Sequence, residues 1–150
     1  MITGIHHIGI IVSDREKAIE FYGDVLGGEL LYTSEAGPED IAKQIGVEGA
    51  SNKAAVIKVG NSILELVEYV NPKCKPKQMS PCDIGTLHLA FEVDNINKTV
   101  ERLQEKGIKF TAAPKYIGKG KMKGWVWIYF KDPDGCQLEL VENRELKNPL

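Results

Sequence analysis

Leu64-Glu65-Leu66-Val67-Glu68 recurs letter for letter as Leu138-Glu139-Leu140-Val141-Glu142, 74 residues further along the chain. A second pair of similar segments, residues 7–12 and 88–93, is offset by 81 residues, and each begins with a histidine. Because both pairs occur in the same order, they predict that one structural module is used twice. The seven-residue difference between the offsets requires an insertion in the first copy, and residues 35–53 provide an obvious one.

Module one, about residues 4–70, has the pattern of a βαβββ unit. An apolar, β-branched strand at 5–12 leads to Ser13, a predicted helix N-cap. The following helix has one apolar face at helical spacing, formed by Ala18, Phe21, Tyr22 and Val25. Three further strands are predicted at 29–34, 54–59 and 62–70, the last two joined by the turn Gly60-Asn61. A short helix at 38–46 is inserted among them, with a proline at its first position.

Module two, about residues 86–142, repeats this order. A strand at 86–93 leads to Asp94, the predicted N-cap of a helix over 95–106. Three strands follow at 108–111, 125–131 and 136–142, the last two joined by the turn Asp132-Pro133-Asp134-Gly135. Between the modules, residues 71–85 are rich in proline and carry the lysines Lys73, Lys75 and Lys77, which is typical of an exposed linker.

Composition limits the class of protein. The 150 residues are 43% hydrophobic and 27% charged, which is typical of a globular chain rather than a disordered one. A net charge of −2 argues against a nucleic acid or an anionic membrane as partner, since both require a basic surface. The three cysteines have no C-x-x-C spacing, and neither a signal-peptide pattern nor a membrane-length apolar run is present. We therefore expect a protein of the reducing cytoplasm.

Four polar residues occupy matching positions in the two modules. His7 and His88 lie in the first predicted strand of each module, and Glu65 and Glu139 lie in the last. Strand alternation places each glutamate on a largely apolar face, where a carboxylate is costly unless it is paired or bound to a metal. Two imidazoles and two carboxylates related by an internal repeat are a suitable ligand set for a divalent metal with open coordination positions.

Three other features are open to two interpretations each. His6 competes with His7, although strand alternation places it opposite His7 and the repeat favours His7. Aromatic residues alternate along one strand, where they either line a pocket or pack in the core: Trp125, Trp127 and Tyr129. The lysine- and glycine-rich segment 115–124 either attracts an anionic substrate, such as a phosphate or a coenzyme A ester, or forms a solvated loop.

The sequence resembles the vicinal-oxygen-chelate superfamily, which comprises glyoxalases, acyl-CoA epimerases, ring-cleaving dioxygenases and bleomycin-resistance proteins. The resemblance covers nearly the whole chain and rests on His7-Ile8-Gly9, residues 18–22, Val25-Leu26-Gly27, residues 88–94, Asp132-Pro133-Asp134-Gly135 and Leu138-Glu139-Leu140. It implies that residues 1–150 form one α+β domain. In that fold two βαβββ modules form a cupped, eight-stranded mixed sheet around a divalent metal, with the helices outside.

By position, the resemblance implies that His7, Glu65, His88 and Glu139 are the metal ligands. A glutamate at position 65 is similar to glyoxalase I-like members, whereas acyl-CoA epimerases commonly have glutamine there and the dioxygenases need no acid on that strand. The implied activity is that of a lyase or isomerase resembling glyoxalase I, acting on a small carbonyl compound. Zn, Ni, Co, Mn or Fe would polarise the carbonyl while Glu139 or Glu65 moves the α-proton. The alternatives are an acyl-CoA epimerase, a ring-cleaving dioxygenase and a metal-free drug-binding resistance protein.

One departure from the family pattern concerns the cosubstrate. Bacterial glyoxalase I-like proteins usually carry an arginine shortly after the first ligand histidine, for the glutathione carboxylate. Here residues 8–12 are apolar, and Arg15 lies beyond the predicted strand. The departure argues against glutathione. The resemblance also implies a homodimer, in which the site is closed within one chain or by exchange of modules between two chains.

Overall fold

A computed structural model describes residues 1–76 and 80–145. The chain divides into two units, Met1–Lys77 and Gln78–Leu150, at a point within the predicted linker. Lys77, one of the predicted linker lysines, lies outside the described residues. Each unit contains one mixed four-stranded sheet with helices, which confirms the predicted α+β class and the eight strands in two βαβββ modules.

Module one has the sheet order β1-β4-β3-β2, with β1 parallel to β4 and the other neighbours antiparallel. Its strands are β1 (Ile8–Ile11), β2 (Glu29–Ala36), β3 (Ser51–Val59) and β4 (Ser62–Asn71). Its helices are α1 (Arg15–Ile19), which continues as a π-helical segment (Glu20–Val25), and α2 (Pro38–Ile45). The inserted helix begins with Pro38 as predicted and ends at Gly46, whose φ of +72° is the left-handed conformation that glycine adopts easily.

The core of module one lies between α1 and the sheet. Leu64 and Leu66 of β4 are almost completely buried, and so are Phe21 and Tyr22 of the helical segment. Each such side chain contributes about 1.5–3 kcal/mol of burial free energy. Because strand residues alternate, this packing directs Glu65 to the opposite face, where it is half-exposed.

Module two has the sheet order β5-β8-β7-β6, with β5 parallel to β8 and the other neighbours antiparallel. Its strands are β5 (His88–Glu92), β6 (Lys115–Tyr116), β7 (Trp125–Lys131) and β8 (Gln137–Asn143), and its helix is α3 (Ile96–Glu105). The predicted apolar face of α3 is confirmed, since Ile96, Val100 and Leu103 are buried. Within the part of the chain that the structure describes, no helix is long and apolar enough to span a membrane.

Several strand bounds shift by a few residues, and two predicted strands affect the site or the topology. The prediction of a strand at 108–111 is wrong, because Phe110 forms only an isolated bridge to Phe130. The N–H of Ile108 donates to the carbonyl of Leu103 at the end of the helix, and the N–H of Thr111 donates to Tyr129, but regular pairing with β7 starts only at Lys115, in the edge strand β6. The first strand is shorter than the predicted 5–12 and leaves His7 just before it.

Both helix N-caps lie one residue later than predicted. Asp14, not Ser13, accepts a hydrogen bond from the backbone N–H three residues further on. Asn95, not Asp94, does the same in module two. Both residues of each pair are good caps, so local sequence does not decide between them. A glutamate in the last strand of each module contacts the first helical N–H, and this contact fixes the register of the helix on the sheet.

Candidate active site

The first candidate pair lies in module one, beside the start of β1. His7 immediately precedes β1, and Glu65 lies near the middle of β4, opposite Gly9. The Nε2 atom of His7 is 3.3 Å from Oε2 of Glu65, and the two side chains are 42% and 37% exposed. Because Gly9 carries no side chain beside Glu65, the imidazole two residues earlier reaches the carboxylate diagonally.

The second candidate pair repeats this arrangement in module two. His88 is the first residue of β5, and Glu139 lies near the middle of β8, opposite Ala90. The Nε2 atom of His88 is 3.0 Å from Oε2 of Glu139, and the side chains are 48% and 12% exposed. Each histidine therefore meets the glutamate of its own module, next to a small residue on the first strand.

Each pair has the donor chemistry of a divalent metal site. Imidazole nitrogen and carboxylate oxygen atoms bound at about 2.1 Å and at right angles lie about 3.0 Å apart, a spacing close to that of both pairs. Among residues 1–76 and 80–145, no group of three or more His, Cys, Asp or Glu side chains is placed to hold a metal ion. The structure thus forms each His–Glu pair, and the four-ligand set stays a prediction.

Tyr129 is a neighbour of Glu139 that the sequence alone did not reveal. It lies directly opposite Glu139 across the β7–β8 hairpin, so the two side chains lie on the same face of the sheet. Burial raises the pKa of Glu139 above its ordinary value, while His88 and the Tyr129 hydrogen bond act in the opposite direction. Burial and the nearby Glu139 charge also raise the pKa of Tyr129. The signal in the sequence was the spacing of ten residues around the Asp132–Gly135 turn.

The alternating aromatic residues of β7 lie on the face that carries Glu139. Val126, Ile128 and Phe130 are the buried side chains of this strand, so the core interpretation of the aromatic stripe is not supported. The stripe, formed by Trp125, Trp127 and Tyr129, is half-exposed instead. The rings of Trp127 and Tyr129 meet edge to face with centroids 5.1 Å apart, so they form an aromatic wall beside the His88–Glu139 pair.

His6 is in contact with His7. Their Nδ1 atoms are 2.9 Å apart, and their rings meet edge to face with centroids separated by 5.2 Å. The prediction that strand alternation places His6 opposite His7 is wrong, because β1 begins only at Ile8. His7 is nevertheless the histidine of this pair that reaches Glu65, as the repeat predicts.

The cationic residues singled out in the sequence are engaged by carboxylates or exposed. The Arg15 guanidinium contacts Glu16 at 2.7 Å and Glu35 at 3.8 Å. The lysines of segment 115–124 are all exposed, as in a solvated loop. One of them, Lys123, forms an ion pair with Glu145 at 3.3 Å.

This chain is similar to a known protein family over most of its length. The family model for the Glyoxalase/Bleomycin resistance protein/Dioxygenase superfamily matches residues 4–140. A 2-epi-5-epi-valiolone epimerase from Actinomyces sp is 32% identical over 93% of this chain and 79% of its own length. A lactoylglutathione lyase from Haemophilus influenzae is 31% identical over 97% of each chain.

Solved structures share the fold. A glyoxalase family protein from Bacillus cereus has a TM-score of 0.80 at 19% identity, covering 95% of each chain. The fosfomycin resistance protein FosX from Listeria monocytogenes, solved with Mn(II) and sulfate, has a TM-score of 0.64 at 21% identity, covering 95% of this chain and 93% of its own. Proteins of this fold thus include one crystallised with a divalent metal.

Proposed function

We propose that this chain, which belongs to the Glyoxalase/Bleomycin resistance protein/Dioxygenase superfamily, is a metal-dependent lyase or isomerase that moves a proton next to a carbonyl group. The observation that carries the proposal is the repeated His–Glu pair, His7 with Glu65 and His88 with Glu139. Both curated relatives described above are enzymes, one a lyase and one an epimerase. We expect the substrate to be a small carbonyl compound.

His7, Glu65, His88 and Glu139 would hold the metal. They provide two neutral imidazoles and two carboxylates, a set that suits Zn, Ni, Co, Mn or Fe. A bound divalent ion would supply Lewis-acid stabilisation of negative charge on a substrate oxygen. The homodimer and the cytoplasmic location expected above are part of the same proposal, and the three free cysteines are in keeping with the latter.

The proton is moved by a glutamate of one pair, and Glu139 is our first choice. Its side chain is 12% exposed against 37% for Glu65, so it is better shielded from water. A shielded carboxylate with a raised pKa is a stronger base for removing an α-proton than one in water. Glu65 is the second choice. If Glu139 is the base, a variant of Glu139 is inactive, and if Glu65 is the base, a variant of Glu65 is inactive.

The segment after His7 argues against glutathione as cosubstrate. Residues 8–11 form β1 and contain no cation, and the Arg15 guanidinium lies against Glu16 and Glu35. The aromatic wall of Trp127 and Tyr129 beside Glu139 is suited instead to the apolar part of a small substrate.

An epimerase is the second candidate. The 2-epi-5-epi-valiolone epimerase is 32% identical to this chain, and epimerisation needs the same proton removal followed by return of the proton to the same carbon. The position of deuterium taken up from solvent and the configuration of the product distinguish the two activities. Deuterium incorporation with inverted configuration and no other product would identify the epimerase.

Metal analysis tests the proposal directly. Purified protein would be stripped with a chelator, reloaded separately with Zn, Ni, Co, Mn or Fe, and analysed for metal per chain and for turnover of hemithioacetals, acyl-CoA esters and catechols. We expect stoichiometric metal and metal-dependent turnover that is lost in Glu139→Gln but kept in Glu105→Gln, an exposed position on α3. Wild-type protein that binds none of these ions, with unchanged thermal stability, would rule out the metalloenzyme. Oxygen uptake with catechols would indicate the dioxygenase alternative.

A further inference from the structure

We propose that Tyr129 is a positioning residue for Glu139, holding its carboxylate in the orientation that the candidate metal site requires. The inference rests on the proposed function, because it assigns a role within the same site. It goes further by making the two modules inequivalent, since Glu139 lies opposite Tyr129 on its neighbouring strand whereas Glu65 lies opposite Val56.

Tyr129 lies beside both members of the second pair. It is the direct cross-strand neighbour of Glu139 in the antiparallel β7–β8 hairpin, so the two side chains share one face of the sheet, and a hydrogen bond between them is among the causes that act on the pKa of Glu139. Its ring also meets the imidazole of His88 edge to face, with centroids 5.5 Å apart and an interplanar angle of 71°. One side chain thus restrains a histidine and a carboxylate that already lie 3.0 Å from each other.

Tyr129 is itself held in place. On one side its ring packs against Trp127, with centroids 5.1 Å apart. The hairpin that sets its register against Glu139 is closed by Asp132, whose Oδ1 accepts the backbone N–H groups of Asp134 and Cys136 at 3.0 and 2.7 Å. Asp132 is only 6% exposed, so this turn holds the hairpin in one register. The position of Tyr129 opposite Glu139 therefore follows from the fold.

At the equivalent position of module one, β3 carries a valine instead of a tyrosine. The residue opposite Glu65 on the neighbouring strand is Val56, which has no polar group in its side chain. Glu65 is also three times as exposed as Glu139, at 37% against 12%. The internal repeat makes the two glutamates formally equivalent, but their neighbours restrain only Glu139 in this way.

A hydrogen bond to a ligating carboxylate fixes its rotamer and the oxygen that it presents. Partners of this kind strengthen metal binding, and their loss commonly weakens metal affinity about 10- to 100-fold. The fixed carboxylate is also ready to bind before the ion arrives, so less conformational entropy is lost on binding. Removal of the Tyr129 hydroxyl should therefore lower the metal affinity as well as the turnover.

The test compares Tyr129→Phe with Tyr116→Phe. Both variants lose one hydroxyl and keep the ring, but Tyr116 lies opposite Val126, on the other face of the same sheet. Dissociation constants for Zn and Mn would be measured by competition with a chromogenic chelator, with the melting temperature as a check of folding. We expect the dissociation constant of Tyr129→Phe to be about 10 to 100 times that of the wild type, and the dissociation constant of Tyr116→Phe to equal that of the wild type.

A double-mutant cycle separates positioning from a general structural effect. Tyr129→Phe should lose most of its effect on metal affinity in a Glu139→Gln background and keep it in a Glu65→Gln background. Equal losses in both backgrounds, or wild-type affinity in Tyr129→Phe, would overturn the role of Tyr129 and leave the metalloenzyme intact. Wild-type protein that binds none of Zn, Ni, Co, Mn and Fe in the metal analysis above would overturn the proposed function and this inference together.

Discussion

Glu142 of β8 accepts a hydrogen bond from the backbone N–H of Ile96, the first residue of α3, with Oε2 2.9 Å from the nitrogen. In module one, Glu68 of β4 accepts from Arg15, the first residue of α1, at the same distance. The first N–H groups of a helix have no partner within the helix, so in each module the last strand supplies one. The repeated five-residue segment therefore has three functions: its leucines pack under the helix, its central glutamate faces the candidate site and its final glutamate caps the helix.

Replacement of Glu142 by alanine should lower the free energy of unfolding by about 1–2 kcal/mol, because a partly buried cap is lost. Its side chain is only 14% exposed. Urea unfolding followed by circular dichroism measures the change. Glu101→Ala, at an exposed position on α3, is the matched control and should change stability by less than about 0.5 kcal/mol. Equal stabilities of the two variants would show that the contact does not stabilise the helix.

Gly28, which follows the first helical segment, should not accept a side chain. A Cβ atom there would lie 2.6 Å from both Cγ2 of Ile57 and the carbonyl oxygen of Tyr22, and the backbone atom cannot simply rotate away. We expect Gly28→Ala to cost about 1–3 kcal/mol in thermal or urea unfolding. Gly23→Ala is the control, since its Cβ would meet nothing closer than 3.7 Å and alanine favours helix. If Gly28→Ala unfolds with the stability of the wild type, the backbone around Gly28 moves easily enough to make room for the methyl group.

The repeat and strand alternation predicted most of the fold because both depend on short-range pattern. Apolar residues two apart placed Leu64 and Leu66 in the core and Glu65 on the other face, as observed. The strand predicted at 108–111 was wrong because strand composition does not show which backbone partners a segment meets. The N–H of Ile108 donates to Leu103 at the end of the helix, and Phe110 forms only an isolated bridge to Phe130.

The candidate site was predictable only in part, for a similar reason. The offsets of 74 and 81 residues paired each histidine with its glutamate, and the structure brings both pairs into contact. The placement of Tyr129 opposite Glu139 depends on the register of a hairpin, which in turn depends on the buried Asp132. Composition alone does not distinguish Tyr129 from Trp125 or Trp127, and only its spacing from Glu139 across the turn does.

His7, rather than His6, should determine metal binding. His7 is the histidine that reaches Glu65, whereas the position equivalent to His6 in module two is Leu87. Loss of one ligand should weaken zinc binding in His7→Ala by at least tenfold, while His6→Ala should stay within about twofold of wild type. Chelator competition measures the zinc dissociation constants of both variants. A larger loss of zinc affinity in His6→Ala than in His7→Ala would assign the ligand to His6 and show that the repeat gives the wrong histidine.

Cys136 should react slowly with thiol reagents. Burial and the charge of Asp132 raise its pKa to about 11, whereas Cys74 and Cys82 are exposed. Since only the thiolate reacts, iodoacetamide at pH 8 should modify Cys136 at least about tenfold more slowly than the other two, as followed by peptide mass spectrometry. The rate at Cys136 should rise as the pH approaches 11. Between pH 9.0, the ordinary pKa of the thiol, and about pH 11, Cys136 keeps its proton in the folded protein but has lost it in the unfolded chain. The free energy of unfolding should therefore fall as the pH rises over that range. Urea-unfolded protein, in which the three rates should converge, is the control; equal rates in the native protein would show that Cys136 is not shielded.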